Sequence, residues 1–213
     1  MEEQQITKHG TTTIGLVCKD GLVLAADRRA TAGNYIVDKS AKKIYELTDN
    51  LAVTIAGVAS DAQLLIKLIK AELNLVRIRN TREVTVREAA NLLARIVYQN
   101  IRKMSLIPGI SHFILGGKDS KGTHIYEIYP DGTLSYIKDF ISSGSGSVMV
   151  FGVLETLYEE NMSLEDGVKL AVKGLNAAMQ RDSASGSGID VMTITSKGIK
   201  RVISQELKGK IEI

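Results

Sequence analysis

The stretch Thr11-Thr-Thr-Ile-Gly-Leu-Val17 decides how the chain begins to fold, together with Leu22-Val-Leu-Ala-Ala26 a few residues later. Both segments are rich in β-branched and aliphatic residues, which favour strands. Lys19-Asp20-Gly21 separates them and is typical of a tight turn between antiparallel strands. The sequence therefore predicts that the fold opens with a β-hairpin.

Beyond this hairpin, runs of strands alternate with pairs of helices. Apolar patterns bounded by turn residues predict further strands, at Ile44–Leu47, Leu51–Ala56, Ser111–Leu115, Thr123–Tyr129, Thr133–Ile137, Ile189–Thr195 and Ile199–Ser204. Helical periodicity and capping signals predict four helices. The first is capped by Asp61 and has the apolar positions Leu64, Leu65, Leu68, Ile69 and Leu73, and the second is opened by the capping box Thr85-Val-Arg-Glu88 and ends near Arg102. Two more are predicted at about Val148–Glu160 and Leu164–Arg181, the last opened by Ser163-Leu-Glu-Asp166. We predict an α+β fold, a four-layer αββα sandwich of two stacked antiparallel sheets flanked by helix pairs.

Composition favours one globular domain that does not bind nucleic acid. The chain has 213 residues, of which 44% are hydrophobic, and 27 basic against 24 acidic residues give a formal charge of +3 without a basic stripe. Cys18 is the only cysteine, so no internal disulfide can form and a reducing compartment is expected. The first ten residues begin acidic and lack an apolar core, and no run is long enough to span a bilayer. We expect a cytoplasmic protein.

Several common chemistries are disfavoured by the positions of the reactive residues. His9, His112 and His124 are scattered, so no metal is expected, and a G-x-S-x-G elbow is missing from the sequence. The glycine-serine stretch at residues 142–147 is interpreted as a flexible turn before a helix. A dinucleotide loop is disfavoured there because Met149 stands where the third glycine is needed. No cofactor is expected.

The Gly10–Thr11 bond offers a different chemistry. A free α-amine titrates near about 7.7–8.0, so a threonine at a new chain terminus would carry a nucleophile and a base in one residue. The preceding glycine leaves the peptide bond sterically open to attack by the Thr11 hydroxyl. Taken alone, however, Gly-Thr is a common dipeptide and an ordinary start of a strand.

The region around this bond resembles the processing junction of archaeal proteasome β subunits. The resemblance covers nearly the whole chain, through the blocks Gly10-Thr-Thr-Thr-Ile-Gly15, Ala26-Asp-Arg-Arg-Ala-Thr31, Lys42-Lys-Ile44, Ile55-Ala-Gly57, Gly144-Ser-Gly146 and Arg181-Asp-Ser-Ala-Ser-Gly186. It implies one N-terminal-nucleophile hydrolase domain over residues 11–213. The propeptide 1–10 would be removed autocatalytically at the cleavage site formed by Gly10 and Thr11. The same sandwich fold is implied.

The resemblance also implies the catalytic residues. Thr11 is the nucleophile, Lys43 the cation beside it, and Asp27 the acid that orients the lysine. The backbone N–H of Gly57 is the oxyanion donor. Three further residues are expected around the terminal amine: Ser145, Asp182 and Ser185.

The corresponding substrate pocket is uncharged. Its expected lining is Ala30, Thr31, Ala41, Tyr45, Ile55, Ala59 and Gln63. Small side chains leave room and an isoleucine gives an apolar wall, so we expect cleavage after large hydrophobic residues.

The resemblance implies a threonine endopeptidase that degrades unfolded proteins as the catalytic β subunit of a proteasome core particle. Such subunits form seven-membered rings enclosed by α-subunit rings, through which an unfolding ATPase delivers substrate. Two alternatives stay open, a non-catalytic structural β-type subunit and another N-terminal-nucleophile amidohydrolase.

Overall fold

The structure is a computed structural model that describes residues 10–106 and 108–207. The first sheet contains the strands β1 Thr12–Cys18, β2 Gly21–Asp27, β10 Phe140–Gly144, β11 Gly188–Thr195 and β12 Gly198–Glu206. Two short strands, β3 Ala30–Ala32 and β4 Tyr35–Asp38, form a separate pair. The second sheet contains β5 Ile44–Thr48, β6 Leu51–Gly57, β7 Ser111–Asp119, β8 Gly122–Ile128 and β9 Leu134–Ile137. The helices are α1 Ala59–Asn80, α2 Val86–Ile101, α3 Ser147–Leu157 and α4 Leu164–Arg181.

The strands form two five-stranded antiparallel sheets, in the orders β10-β1-β2-β11-β12 and β5-β6-β7-β8-β9, and β3 pairs with β4 alone. Three apolar clusters separate four layers. One lies between the first sheet and the helices α3 and α4, one between the sheets, and one between the second sheet and α1 and α2. The predicted αββα sandwich is confirmed.

Strand alternation divides the side chains between these clusters. Ile14 and Leu16 of β1 face α3 and α4, whereas Leu22 and Leu24 of β2 lie between the sheets. All four side chains are fully buried. Because successive strand residues point to opposite faces, β1 and β2 can each contribute to both layers.

Two predicted helix starts are confirmed. The Thr85 hydroxyl accepts a hydrogen bond from the Glu88 amide, and the Glu88 carboxylate accepts one from the Thr85 amide, which completes a capping box. Ser163 accepts a bond from the Asp166 amide at 3.1 Å and caps α4.

The start of α1 was predicted wrongly. The helix begins at Ala59 with Val58 at the N-cap position, so Asp61 lies inside the first turn and does not cap it. A carboxylate in the first turn still stabilises the helix, because it lies near the positive end of the helix dipole. Leu64 and Leu68 were expected on the apolar face, but they are 48% and 42% exposed.

The glycine-serine stretch is the predicted turn before a helix only at Ser145 and Gly146. Its first three residues belong to β10, which pairs with β1 from Thr12↔Gly144 to Leu16↔Phe140, and its last residue begins α3. The backbone of β1 supplies the hydrogen-bond partners that make β10 a strand, although the sequence of β10 itself does not favour one. The short strands β3 and β4 were missed as well.

The predicted propeptide lies outside the described residues except for Gly10, and so do the last six residues of the predicted domain. In the part of the chain that is described, no helix is long and apolar enough to cross a membrane.

Candidate active site

The predicted catalytic residues come from strand ends that meet at one edge of the sandwich. Thr11 immediately precedes β1, Asp27 ends β2, Lys43 immediately precedes β5, and Gly57 ends β6. Thr11, Lys43 and Gly57 line one cavity of about 220 Å³. Residues that are far apart in the sequence therefore meet because β1 and β5 begin, and β2 and β6 end, at the same edge.

A buried ion pair lies beside the cavity. Lys43 Nζ is 2.7 Å from Asp27 Oδ1, and the two side chains are 6% and 0% exposed. The same oxygen accepts the Thr12 amide at 2.9 Å, while Asp27 Oδ2 accepts the amides of Arg29 at 3.0 Å and Gly186 at 2.9 Å. Three backbone amides fix the carboxylate and, through it, the ammonium group, which is its fourth donor.

Burial lowers the pKa of the Lys43 ammonium below its ordinary value, although the charge of Asp27 opposes this effect. Burial dominates because removing an ammonium group from water disfavours its charged form.

Thr11 is 5% exposed. The Thr11 hydroxyl donates to the Gly10 carbonyl oxygen at 2.7 Å, so the hydroxyl lies against the bond that was predicted to be cut. The Thr11 amide donates to Ser145 Oγ at 3.3 Å.

Two hydroxyl chains converge on Asp182. Ser145 and Ser185 donate to Asp182 Oδ2 at 2.5 Å and 2.6 Å. Thr12 Oγ1 lies 2.6 Å from Ser185 Oγ. Since Ser185 donates to the carboxylate, Thr12 is the donor in that contact.

Steric crowding explains why the residues on either side of Ser145 are glycines. A Cβ on Gly144 would overlap the Thr11 carbonyl, and a Cβ on Gly146 would overlap the Thr12 hydroxyl. Only glycine at both positions lets the turn lie this close to the start of β1.

Gly57 is constrained in the same way. Its φ is +113°, and a Cβ would overlap the Ile110 carbonyl oxygen, so a side chain is excluded on two grounds. Its role as an oxyanion donor stays a prediction.

The predicted pocket residues are brought together. All seven line the cavity beside Thr11: Ala30, Thr31, Ala41, Tyr45, Ile55, Ala59 and Gln63. The sequence missed two charged neighbours, Asp38 and Lys42, which also line it. Lys42 Nζ lies 5.1 Å from the centroid of the Tyr45 ring. Hydrogen bonds from Ser40 hold the pKa of Asp38 below its usual value, so both signs of charge lie near the cavity.

Arg29 is a further residue that the sequence did not single out for a role. Its guanidinium donates to the Ser183 carbonyl at 2.7 Å and to Ser187 Oγ at 3.4 Å. These bonds tie the loop that carries Asp182 and Ser185 to the end of β2. The sequence shows that Arg29 lies two residues after Asp27, but it does not show the distant residues that Arg29 contacts.

Among the described residues, other reactive groups form no comparable site. A larger cavity, of about 790 Å³, lies between α2 and the β8–β9 edge, without a threonine next to a buried lysine, so chemistry rather than volume locates the site. Across residues 10–106 and 108–207, no group of three or more metal-ligating side chains occurs. His112 lies 2.9 Å from Glu127 within the second sheet. Burial raises the pKa of Cys18 to about 11, which keeps it a thiol.

An αββα sandwich that opens with a threonine beside a buried lysine defines the N-terminal-nucleophile class of fold. The proteasome subunit family matches residues 7–194. The chain is 44% identical to "Proteasome subunit beta" of Ferroglobus placidus, over 95% of each chain. It is 44% identical to the protein of the same name in Archaeoglobus fulgidus, over 98% of this chain and 95% of the relative. For Methanocaldococcus vulcanius, the identity is 41% over 94% and 89%. The chain belongs to the proteasome subunit family, and these relatives are β subunits.

Proposed function

We propose that this chain is a catalytic β subunit, a threonine endopeptidase that becomes active when the Gly10–Thr11 bond is cut. The observation that carries the proposal is the buried Lys43–Asp27 pair beside Thr11, whose hydroxyl already lies against the Gly10 carbonyl. A merely structural subunit has no need for a buried lysine at this position, because a buried ion pair adds little stability over apolar packing.

Self-cleavage proceeds as an acyl shift. Thr11 Oγ1 bonds to the Gly10 carbonyl carbon, the carbon–nitrogen bond breaks, and the Thr11 nitrogen takes up the hydroxyl proton. Water then hydrolyses the resulting ester. This releases the Gly10 carboxylate and leaves Thr11 with a hydroxyl and a free amine.

Substrate hydrolysis uses the same atoms in the cut chain. The amine accepts the hydroxyl proton, directly or through water, while the hydroxyl attacks the substrate carbonyl carbon. The Gly57 amide donates to the oxyanion that forms, and the amine then protonates the leaving nitrogen. Water hydrolyses the acyl ester and restores Thr11.

Lys43 supplies charge at the nucleophile. A cation close to Thr11 favours the deprotonated hydroxyl and keeps the neighbouring amine neutral. Three backbone amides fix the Asp27 carboxylate, which in turn holds this cation in place, so the site requires little rearrangement when the hydroxyl is deprotonated.

The cavity supports cleavage after large hydrophobic residues. Ala30, Ala41 and Ala59 leave space, and Ile55 adds an apolar wall. Asp38 and Lys42 carry opposite charges, so neither an acidic nor a basic substrate side chain gains from both. Peptides with Leu, Tyr, Arg or Glu before the scissile bond measure this preference, and faster turnover of the Arg or Glu peptide would contradict it.

Family membership supports assembly with other proteasome subunits in rings. We propose seven-membered β rings enclosed by α rings, with an unfolding ATPase acting through the α ring and residues 1–10 acting as a propeptide until the chamber is closed. The cytoplasmic location stays a prediction.

The decisive experiment compares three chains assembled with α subunits: wild type, Thr11→Ala and Thr11→Ser. Intact mass reports loss of residues 1–10, and a fluorogenic peptide reports hydrolysis. We expect both in the wild type, neither in Thr11→Ala, and reduced levels of both in Thr11→Ser, which keeps a hydroxyl. A wild type that stays uncut and inactive after assembly would instead identify a structural subunit.

A further inference from the structure

Gly10 is held on three sides in the uncut chain. Its amide donates to Thr31 Oγ1 at 3.2 Å, and its carbonyl accepts the Thr11 hydroxyl at 2.7 Å. Its third side faces Ala184. A Cβ built on Gly10 would overlap the Ala184 Cβ and lie 2.8 Å and 3.1 Å from the Ala184 Cα and carbonyl carbon.

We propose that Ala184 restricts position 10 to glycine and is thereby the residue that determines the sequence specificity of self-cleavage. This inference rests on the proposed function, because it concerns the residue that donates the acyl group in the first turnover. Ala184 would act by steric exclusion and takes no part in the chemistry.

Ala184 cannot move aside easily. Its side chain is a single methyl group with no rotamer to change, and its backbone is anchored on both sides. The Ala184 amide donates to Asp182 Oδ1 at 3.2 Å, the Gly186 amide donates to Asp27 Oδ2 at 2.9 Å, and Arg29 holds the Ser183 carbonyl at 2.7 Å. Two residues of the proposed catalytic set thus fix the loop.

The residue before Thr11 and the residue of a substrate before the scissile bond would place their side chains in different surroundings. A side chain at position 10 would point at Ala184, whereas the cavity beside Thr11 is walled by Ala30, Ala41 and Ile55. The chain's own junction therefore requires glycine, while a separate substrate presents its side chain to the cavity. A glycine requirement in self-cleavage is compatible with a preference for large side chains in substrates.

A double-mutant cycle tests the proposal. The variants are wild type, Gly10→Ala, Ala184→Gly and Gly10→Ala/Ala184→Gly, each co-assembled with α subunits. The rate at which the uncut mass disappears is followed by intact mass spectrometry. We expect Gly10→Ala to slow self-cleavage roughly 5- to 150-fold, the range that overpacking costs correspond to.

In the Ala184→Gly background the penalty of Gly10→Ala should be at least about fivefold smaller, the size of coupling seen between contacting residues. Recovery should be partial, because the contact with the Ala184 Cα remains. Any effect of Ala184→Gly on the loop itself is common to both arms and cancels in the ratio. An equal penalty in both backgrounds would overturn the inference and assign the glycine requirement to backbone conformation.

A second pair of chains keeps this outcome distinct from failure of the proposed function. Chains that begin at Thr11, with and without Ala184→Gly, need no self-cleavage, and their peptide hydrolysis reports the nucleophile alone. Activity of the Thr11 chain together with an unchanged penalty rejects only the role of Ala184. An inactive Thr11 chain rejects the proposed function, and the inference with it.

Discussion

Removing Asp27 should damage the folded chain far more than removing its partner Lys43. The structure gives the reason, because the Asp27 carboxylate serves four donors, whereas the lysine makes its one described ion pair with this group. Asp27→Ala leaves a buried ammonium unpaired, at a cost of about 3–5 kcal/mol. It also leaves the amides of Thr12, Arg29 and Gly186 without an acceptor, at a cost of about 1–3 kcal/mol for each amide that water does not reach.

Lys43→Met is the matched comparison. Methionine has similar length and no charge, and the Asp27 carboxylate keeps its three backbone donors. We expect a loss of about 3 kcal/mol, the lower end of the cost of leaving one member of a buried pair, because the three amides still compensate the carboxylate. Both variants should lose self-cleavage, but only Asp27→Ala should approach the whole stability of an ordinary domain, which is about 5–15 kcal/mol.

Urea unfolding at pH 7 measures the difference. All chains carry Thr11→Ala, so that none is cut and the same polypeptide is compared. With a slope of about 2 kcal/mol/M, the midpoint should fall by about 1.5 M for Lys43→Met and by about 3 M or more for Asp27→Ala. Equal losses in the two variants would refute the argument that the carboxylate, rather than the ion pair, organises these strand ends.

Three further outcomes follow from other contacts. Burial lowers the pKa of Lys43, so between that lowered value and about 10.4 the unfolded chain binds more protons than the folded chain. The free energy of unfolding, compared with that of Lys43→Met, should therefore rise with pH across this window, and urea unfolding at several pH values would measure it. Arg29→Lys removes the forked donor that holds the loop before β11, and we expect about tenfold slower peptide hydrolysis in particles that still assemble, whereas unchanged hydrolysis would reject a positioning role. Thr85→Ala removes the capping box of α2 and should cost about 1 kcal/mol in urea unfolding without changing peptide hydrolysis.

The features that the sequence predicted well are those with local causes. The first hairpin follows from two strand-forming segments around a turn, and the starts of α2 and α4 follow from Thr85 and Ser163 with the acidic residue three positions on. The four-layer arrangement follows from the order of these elements, since each amphipathic face needs a partner.

The features that the sequence missed depend on distant neighbours. β10 forms from a segment of serine and glycine because the edge of β1 offers it hydrogen bonds. Arg29 meets Ser183 only because β2 pairs with β11, and Ala184 meets Gly10 for the same reason. Neither contact has a spacing or a motif that would reveal it. The set of site residues came from the resemblance, which encodes such contacts without explaining them.

The two hydroxyl chains at Asp182 suggest how the amine of a cut Thr11 would be kept available as a base. Ser145 Oγ has one proton, and Asp182 Oδ2 at 2.5 Å is a far better acceptor than the Thr11 carbonyl at 3.4 Å. Its proton is therefore committed to Asp182, and toward the Thr11 nitrogen the serine can only accept. A neutral amine in this position would donate one N–H to Ser145, which leaves its lone pair free for the proton of the Thr11 hydroxyl. If instead the serine donated to the amine, it would occupy that lone pair and suppress the base. The carboxylate of Asp182 thus sets the direction of the hydrogen bond on which the proposed mechanism depends.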